Sequence, residues 1–208
     1  MELGDSGRRL GVLISGRGSN LQSIIDAIAS GRLDAAIAIV ISNRADAAGL
    51  QRARDAGIPT LCLSHKDYAT REEYDRAVVA ALRAHGVDLV CLAGFMRIFS
   101  SEMLEAYPQR ILNVHPSLLP SFPGLHPHRQ AIEYGVKCSG ATVHLVDGAL
   151  DGGPIVVQAT VPVKDDDTEE TLAARILAEE HRIYPEAIRL VLDGGWSVRG
   201  RRFVQRSV

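Results

Sequence analysis

The sequence predicts an α/β fold in which a doubly wound, mostly parallel β-sheet is extended by antiparallel strands near the carboxyl end. Over about the first 115 residues, apolar runs of strand length alternate with stretches whose apolar residues recur every three or four positions. A glycine-rich turn at residues 16–20 joins the first apolar run to the first helical stretch. Later, residues 140–146 follow a period of two, which is typical of a half-buried antiparallel strand.

The first half of the chain supplies the parallel part of this sheet. Near-continuous apolar runs predict buried strands at residues 9–15, 35–42, 58–63 and 87–93. Helical spacing predicts helices between them at residues 19–28, 46–56 and 70–85. Ser19 with Gln22, and Thr70 with Glu73, form capping-box patterns at two of the helix starts. The regular alternation predicts right-handed crossovers and a Rossmann-like sheet.

The second half starts with a short strand at residues 111–115 and a loop that its prolines stiffen. The elements predicted after it are a helix at 126–134, strands at 140–146 and 154–163 with a tight turn at 147–153 between them, and a long helix that Pro185 kinks. The sequence contains no linker or internal repeat. We therefore expect residues 1–208 to form a single domain, with mobile tails at about 1–8 and 193–208.

Composition favours a small-molecule partner. The chain has 208 residues, 46% of them hydrophobic, and a net charge of −2, so it fits one aliphatic core without a basic footprint for nucleic acid. No basic and apolar leader or bilayer-length segment is evident, which predicts a cytoplasmic protein with no membrane partner. Cys62, Cys91 and Cys138 lie far apart and are expected to be buried, reduced thiols. A monomer and a homodimer are both compatible with the sequence.

Asn113 and His115 are the first candidates for chemistry. They lie two apart on a predicted strand, so both should project from one face where the strand opens into the loop. An imidazole exchanges a proton near neutral pH, and an amide donates a fixed hydrogen bond, which together suit attack on a carbonyl. The alternative is a histidine at a strand end whose ring bonds only locally.

Asp151 is the third candidate, in the glycine turn at 147–153. Beside His115 it would favour the charged imidazolium, a better donor to an oxyanion. The alternative is an aspartate that merely forms the turn by bonding its own backbone. His126 and His128 offer a further possibility, a metal site with His115 and Asp151, but the pattern lacks a helical histidine pair and we expect no metal.

The glycine turn at 16–20 suggests a phosphate site. Leu21 stands where a dinucleotide-binding fingerprint has its third glycine, and the lysine of a P-loop is absent. The backbone amides of Gly18, Ser19 and Asn20 at a helix start suit a single phosphate monoester. Ser19 as a simple helix cap is the competing interpretation.

Three further features are compatible with ligand binding. Residues 95–99, Phe-Met-Arg-Ile-Phe, follow a strand where open α/β sheets bind ligands, and apolar walls with one cation suit a flat heteroaromatic carboxylate. Arg71, in the first turn of a helix, opposes the helix dipole, which a carboxylate ligand would relieve. Glu180 interrupts the apolar stripe of the last helix, either to hold a sugar hydroxyl or as a solvated side chain that turns outward.

Four segments together resemble the folate-dependent formyltransferases. They read Val-Leu-Ile-Ser-Gly-Arg-Gly-Ser-Asn-Leu-Gln, Ala-Gly-Phe-Met-Arg-Ile, Leu-Asn-Val-His-Pro-Ser-Leu-Leu-Pro and Leu-Asp-Gly-Gly-Pro-Ile, and the resemblance extends from about Leu10 to Pro185. The third and fourth are common to the wider family. The Ser-Gly-x-Gly-Ser-Asn loop marks the branch that formylates a glycinamide ribonucleotide in purine (IMP) synthesis, and the resemblance implies the formyltransferase fold.

The resemblance also implies a role for each candidate. The implied catalytic residues are Asn113, His115 and Asp151. The implied contacts to the ribonucleotide are Gly18, Ser19 and Asn20 at the phosphate and Glu180 at the ribose. The implied folate-binding residues are Arg71, Met96, Arg97, Ile98, Phe99 and Asn113. Two residues depart from the family pattern: Phe99 replaces a leucine of some members, and Leu177 replaces a polar substrate contact.

The implied reaction transfers the formyl group of 10-formyltetrahydrofolate, a co-substrate, to the amine of 5-phosphoribosylglycinamide, with no metal. A hydrolase or another formyltransferase would keep the same three catalytic residues without needing the phosphate loop. A nicotinamide-dependent oxidoreductase would use the first glycine loop for NAD, which the missing third glycine disfavours. A sugar-phosphate binder without catalysis is the remaining alternative.

Overall fold

The computed structural model describes residues 8–206, which form nine strands and six α-helices in two compact units. The strands are β1 Arg9–Ile14, β2 Ala36–Ser42, β3 Thr60–Cys62, β4 Leu89–Leu92, β5 Ile111–His115, β6 Cys138–Leu145, β7 Ile155–Pro162, β8 Trp196–Arg199 and β9 Arg202–Gln205. The helices are α1 Ser19–Ala29, α2 Ala48–Asp55, α3 Arg71–Ala84, α4 Ser101–Ala106, α5 Pro127–Tyr134 and α6 Glu169–Asp193. The first unit ends at Leu112, and the second begins at Asn113.

The first unit contains four parallel strands in the order β3-β2-β1-β4. This order is that of a doubly wound sheet, in which the strand sequence reverses beside β1. The apolar runs account for it, because β1 and β4 are almost wholly buried and need helices to cover them. The predicted parallel, Rossmann-like arrangement is confirmed.

The second unit, which takes in β5 from Asn113 onward, has the strand order β5-β6-β7-β9-β8. β6 pairs antiparallel with β7, which confirms the predicted antiparallel extension. The helix α6 packs on both of these strands through a buried apolar stripe and continues through Pro185. Neither α6 nor any other helix within residues 8–206 combines the length and apolar character needed to cross a bilayer.

Several local expectations were wrong. Gly18, not Ser19, caps α1, because its left-handed backbone ends the turn and leaves Ser19 inside the helix without a capping hydrogen bond. Strand β6 is buried along nearly its whole length and not half-buried, because a loop covers its polar face. Among the cysteines only Cys91 is buried, while Cys62 and Cys138 are exposed, although all three are free thiols as expected.

The carboxyl end also differs from the expectation. Residues 196–199 and 202–205 pair as an antiparallel hairpin, where a mobile tail was expected at about 193–208. The rings of Trp196 and Phe203 stack across the hairpin with centroids 4.9 Å apart, which supplies the apolar contact that two four-residue strands need. Residues 1–7, 207 and 208 lie outside the described residues. The single-domain assignment stays a prediction.

We predict that Gly140→Ala destabilises the second unit. A Cβ at position 140 in β6 would overlap the carbonyl oxygen of Ala159 and lie 2.8 Å from Cδ2 of Leu118, so the β6–β7 pair would have to separate. The expected loss in the free energy of unfolding is about 3 kcal/mol, measured by urea denaturation. Gly148→Ala is the matched control, because its Cβ would meet no atom within 4 Å. Equal stability of the two variants would contradict the packing at Gly140.

Candidate active site

Strand β5 presents the first two candidate residues. The two-residue spacing of Asn113 and His115 places both side chains on the same face of the strand. The Asn113 amide nitrogen lies 3.2 Å from Nε2 of His144 on β6. His115 is buried, so its ring depends on protein partners for hydrogen bonds.

Both ring nitrogens of His115 face acceptors. Nδ1 lies 3.4 Å from Oδ2 of Asp151, and Nε2 lies 2.9 Å from the carbonyl oxygen of Phe122. A neutral imidazole carries one proton and can satisfy only one of these acceptors, whereas the imidazolium satisfies both. A proton on either ring nitrogen of His115 therefore has an oxygen acceptor beside it.

Asp151 is held by donors from three segments of the second unit. The backbone amide of Gly124 donates to Oδ2 at 2.8 Å, and Nε2 of His144 lies 3.7 Å from Oδ1. Burial raises the pKa of Asp151, but the hydrogen bonds from His144 and Gly124 and the charges of His115 and His144 outweigh burial, so the pKa lies below its ordinary value. Asp151 is therefore a carboxylate at neutral pH.

The backbone of Asp151 is in the left-handed region, with φ of 49°. Such a conformation costs a residue other than glycine on the order of 1 kcal/mol or more, and surrounding contacts have to maintain it. Nearby bonds shape the turn: the Ala149 amide donates to Asp147, and the Gly152 amide donates to the Ala149 carbonyl. The turn thus aims the carboxylate at the two histidines and is more than a local Asx turn.

His144 is the residue that sequence reasoning missed. Its Nε2 lies between Asn113 and Asp151, and its Nδ1 lies 3.0 Å from the carbonyl oxygen of Leu145. Nε2 is thus the ring atom of His144 that faces both Asn113 and Asp151. The sequence did contain an indication of His144. The polar residues Thr142 and His144 alternate with apolar residues in a strand that is otherwise suited to burial.

The loop at residues 116–124, which its three prolines predicted to be stiff, is hydrogen-bonded to β6 and β7. Thr142 accepts from the Leu119 amide and donates to the Ser117 carbonyl, while the Gln158 side chain donates to the Leu119 carbonyl. The Leu119–Pro120 peptide bond is cis. Phe122 has φ of 54°, which directs its carbonyl oxygen to His115.

The structure brings Asn113, His115 and Asp151 together around His144. Glu180 lies on α6 in the same unit and is only 7% exposed, so the interpretation of a side chain that turns outward to solvent is wrong. Packing of α6 on β6 and β7 accounts for its burial, since the helix face that carries Glu180 is the one turned to the sheet.

Close packing and hydrogen bonds hold the glycine turn of the first unit in place. Gly18 has φ of 72°, and a Cβ there would come 2.6 Å from Cα of Gly49, so only glycine fits at this close approach of two backbones. The Gly49 amide donates to the Gly16 carbonyl, and the Arg52 side chain donates to the Arg17 carbonyl. This fixed turn places Gly18, Ser19 and Asn20 at the start of α1, at the positive end of the helix dipole.

The apolar loop after β4 adjoins the glycine turn, since β1 and β4 are neighbours. The Ser15 amide donates to the Gly94 carbonyl, and the Met96 amide donates to the Ser15 hydroxyl, which itself donates to Asn43. Two loops that sequence reasoning considered separately therefore meet at the carboxyl ends of adjacent strands, where open α/β sheets bind ligands.

Within this loop the apolar side chains divide into two groups. Met96 and Ile98 are 71% and 62% exposed, whereas Phe99 is buried and its ring stacks on Phe95 with centroids 5.5 Å apart. Phe99, which departs from the family pattern, therefore supports the loop from below. Exposed apolar side chains in a fixed loop are the contact surface that a flat ligand requires.

Arg71 is the first residue of α3, and Arg97 lies against Tyr74 of the same helix. The Arg97 guanidinium is stacked over the buried ring of Tyr74, 5.1 Å from its centroid. Burial raises the pKa of Asp75, which accepts from both the amide and hydroxyl of Ser100, and the charges of Arg71 and Arg97 oppose that rise. Arg71 is half-exposed and pairs weakly with Glu72 at 3.7 Å, so its guanidinium can reach a ligand carboxylate.

The two histidines of the metal alternative lie at the start of α5. His126 precedes the helix with φ of 57°, and His128 lies in its first turn. Burial lowers the pKa of His128, the nearby Glu169 raises it, and the charge of His115 lowers it further, so the net direction is downward. Within residues 8–206 no group of three or more histidine, cysteine, aspartate or glutamate side chains is arranged to hold a metal ion.

Comparison with known proteins identifies the family. A model of the formyl transferase family matches residues 8–188. The chain belongs to that family. It is 50% identical over 183 residues to phosphoribosylglycinamide formyltransferase of Escherichia coli, a match that covers 88% of this chain and 86% of the relative.

Two further matches extend this comparison. The trifunctional purine biosynthetic protein adenosine-3 of Drosophila melanogaster is 50% identical over 189 residues, which are 90% of this chain but only 14% of that longer protein. The crystal structure of glycinamide ribonucleotide transformylase 1 from Symbiobacterium toebii superposes with a TM-score of 0.96 at 54% identity, covering 100% of this chain and 98% of that one. The formyltransferase fold implied by the sequence motifs is confirmed.

We predict that the stabilising effect of Asp151 depends on pH. The folded-state pKa of Asp151 lies below the ordinary value of 3.8, so its ionisation stabilises the fold above that value, and this contribution is lost as the pH falls through the folded pKa. Asp151→Asn should therefore be less stable than wild type in urea denaturation at neutral pH, and the difference should shrink at about pH 3. A difference that grows on acidification would contradict the assigned direction.

Proposed function

We propose that this protein transfers the formyl group of 10-formyltetrahydrofolate to the amine of 5-phosphoribosylglycinamide, giving formylglycinamide ribonucleotide and tetrahydrofolate in purine synthesis. The proposal rests on the cluster of Asn113, His115, His144 and Asp151 in a chain of the formyl transferase family. Its similarity over most of its length to proteins named for this reaction supports the choice of acceptor.

The reaction begins when the glycinamide amine attacks the formyl carbon, so that a carbon–nitrogen bond forms and the carbonyl oxygen becomes an oxyanion. The Asn113 amide and Nε2 of His115 donate to this oxygen. To do so, Nε2 exchanges its hydrogen bond with the Phe122 carbonyl for one with the oxyanion. A donor that is already positioned beside the developing charge is worth roughly 3 kcal/mol.

The intermediate collapses when the bond between the formyl carbon and N10 of the folate breaks. The proton lost by the attacking amine is delivered to N10, through His115 or through a water bound to Asp151. The Asp151 carboxylate lies beside Nδ1 of His115, where it orients the ring and stabilises positive charge that develops on it. His144 acts as a positioning residue, because it contacts both Asn113 and Asp151.

Substrate binding is assigned to three groups of residues. The amides of Gly18, Ser19 and Asn20 at the start of α1 bind the ribonucleotide phosphate, since the fixed turn presents donors at the positive end of a helix dipole. Glu180 binds the ribose hydroxyls. The residues assigned to the folate are Arg71 at its glutamate tail and Met96, Arg97, Ile98 and Asn113 at its ring system, with Phe99 supporting their loop from below.

The remaining expectations belong to the same proposal. The formyl group of the co-substrate is already activated, so we assign the reaction to the residues named above and no role to a metal. The ligands are small molecules, and no role is assigned to nucleic acid or to a membrane. A cytoplasmic location stays a prediction, as does the choice between a monomer and a homodimer.

The decisive experiment follows tetrahydrofolate formation from 10-formyltetrahydrofolate with and without the ribonucleotide. We expect product only when both substrates are present. His115→Ala and Asn113→Ala should each lower kcat about a hundredfold, because each removes one donor to the oxyanion. Circular dichroism should show that both variants remain folded.

Two outcomes of this assay would overturn the proposal. Equal product without the ribonucleotide would indicate a hydrolase. Absence of product under either condition, with ribonucleotide binding intact in His115→Ala, would indicate a sugar-phosphate binder.

We further predict that Ser19→Asp selectively weakens ribonucleotide binding. The added carboxylate repels the phosphate, so KM for the ribonucleotide should rise about tenfold, equivalent to roughly 1.4 kcal/mol, while KM for the folate stays within about twofold. The fold should not suffer, because an acidic residue in the first turn favours a helix. Ser19→Ala is the matched control and should change KM little, since the backbone amides remain. An equal effect on both substrates would argue against phosphate binding at this turn.

A further inference from the structure

The carboxyl-terminal hairpin, formed by β8 and β9, lies beyond the part of the chain that matches the family model, which ends at residue 188. It is attached to the second unit at several points. The Trp196 indole nitrogen donates to the Val191 carbonyl in the last turns of α6, and the Arg206 amide donates to the Gly195 carbonyl, which closes the open end of the hairpin. Together with the stacked Trp196 and Phe203, these bonds make the hairpin a fixed element.

The register of the hairpin directs its turn toward the loop that carries Asp151. Arg202 of β9 pairs in parallel with Ile155, the first residue of β7, and β7 directly follows that loop. Gly200 and Arg201 form the turn, because Arg199 pairs with Arg202. The Arg201 guanidinium in this turn donates a hydrogen bond to the carbonyl oxygen of Gly152, the residue after Asp151.

The loop at residues 147–153 needs such an external contact. Its base is closed by the hydrogen bond from the Leu145 amide to the Pro154 carbonyl. Asp151 itself adopts a left-handed backbone, which a residue other than glycine leaves when contacts are lost. Glycines at 152 and 153 add freedom to the chain at this point, so the loop would otherwise sample other conformations.

We propose that Arg201 is a positioning residue for formyl transfer: by binding the Gly152 carbonyl from the hairpin, it fixes the loop that aims the Asp151 carboxylate at His115 and His144. This inference rests on the proposed function. The hairpin thus acts on the active site indirectly, through the loop that carries Asp151. Arginine suits the task because its planar guanidinium is always charged and keeps its donors in a fixed geometry.

Arg201→Met tests the proposal in the full-length chain, because it removes the donors and keeps most of the side-chain length. Arg199→Met is the matched control, since it removes one positive charge from the same hairpin at an exposed position. We expect kcat of Arg201→Met to fall about tenfold with both KM values within about twofold, because misplacement of a catalytic group slows the reaction more than it weakens binding. Arg201→Lys should recover part of the loss, and Arg199→Met should match wild type.

Amide hydrogen exchange supplies a readout that does not depend on activity. Exchange at residues 149–153 should be faster in Arg201→Met than in Arg199→Met, while exchange in β6 and β7 stays the same. Equal kcat values for the two variants would overturn the positioning role. Equal exchange at residues 149–153 would show that Arg201 does not hold the loop. If the wild-type chain transfers no formyl group but the two variants differ in exchange, the proposed function is overturned and the contact of Arg201 with the loop is supported.

Discussion

A buried carboxylate remains charged only when enough donors surround it, and Asp151 imposes this requirement on the second unit. Strand β5 supplies His115, β6 supplies His144, and the loop at residues 116–124 supplies the Gly124 amide. Each donor comes from a different segment, so the three have to be folded before the carboxylate is stabilised. The contacts of Thr142 and Gln158 with the covering loop follow from the same requirement, because they hold the segment that delivers Gly124.

Backbone strain is concentrated around this carboxylate. Phe122 and Asp151 both have positive φ values, and both lie beside a ring nitrogen of His115. Strained residues persist where surrounding contacts outweigh their cost, and such sites are frequently functional. Here the backbone conformation has a structural effect at both positions. It directs the Phe122 carbonyl to His115, and it turns the Asp151 carboxylate toward the Gly124 amide.

Sequence reasoning reached the parts of the site that depend on local periodicity. The spacing of Asn113 and His115 was enough to place them on one face, and the glycine turn was enough to place a helix start at Ser19. Periodicity does not reveal which distant strand lies alongside, so His144 remained hidden in a strand that looked half-buried. The environment of Glu180 was missed for the same reason, because a helix stripe does not show what packs against it.

The hairpin shows a different limit of sequence reasoning. Its strands have four residues each and contain two arginines, so no window is long enough for a clear period-two signal. What stabilises it is the cross-strand contact between Trp196 and Phe203, together with bonds to α6 that come from the tertiary structure. Two aromatic residues seven positions apart were the one available hint.

The same hairpin changes what one end of the sheet exposes to other molecules. It pairs with β7 only at the first residue of that strand, where Ile155 meets Arg202, so it covers the end of the β7 edge beside the Asp151 loop. At that end the outermost strand is β8, which is four residues long and ends in an exposed arginine. Short, charged edges are poor templates for strand addition, so this end of the sheet is protected from pairing with another chain.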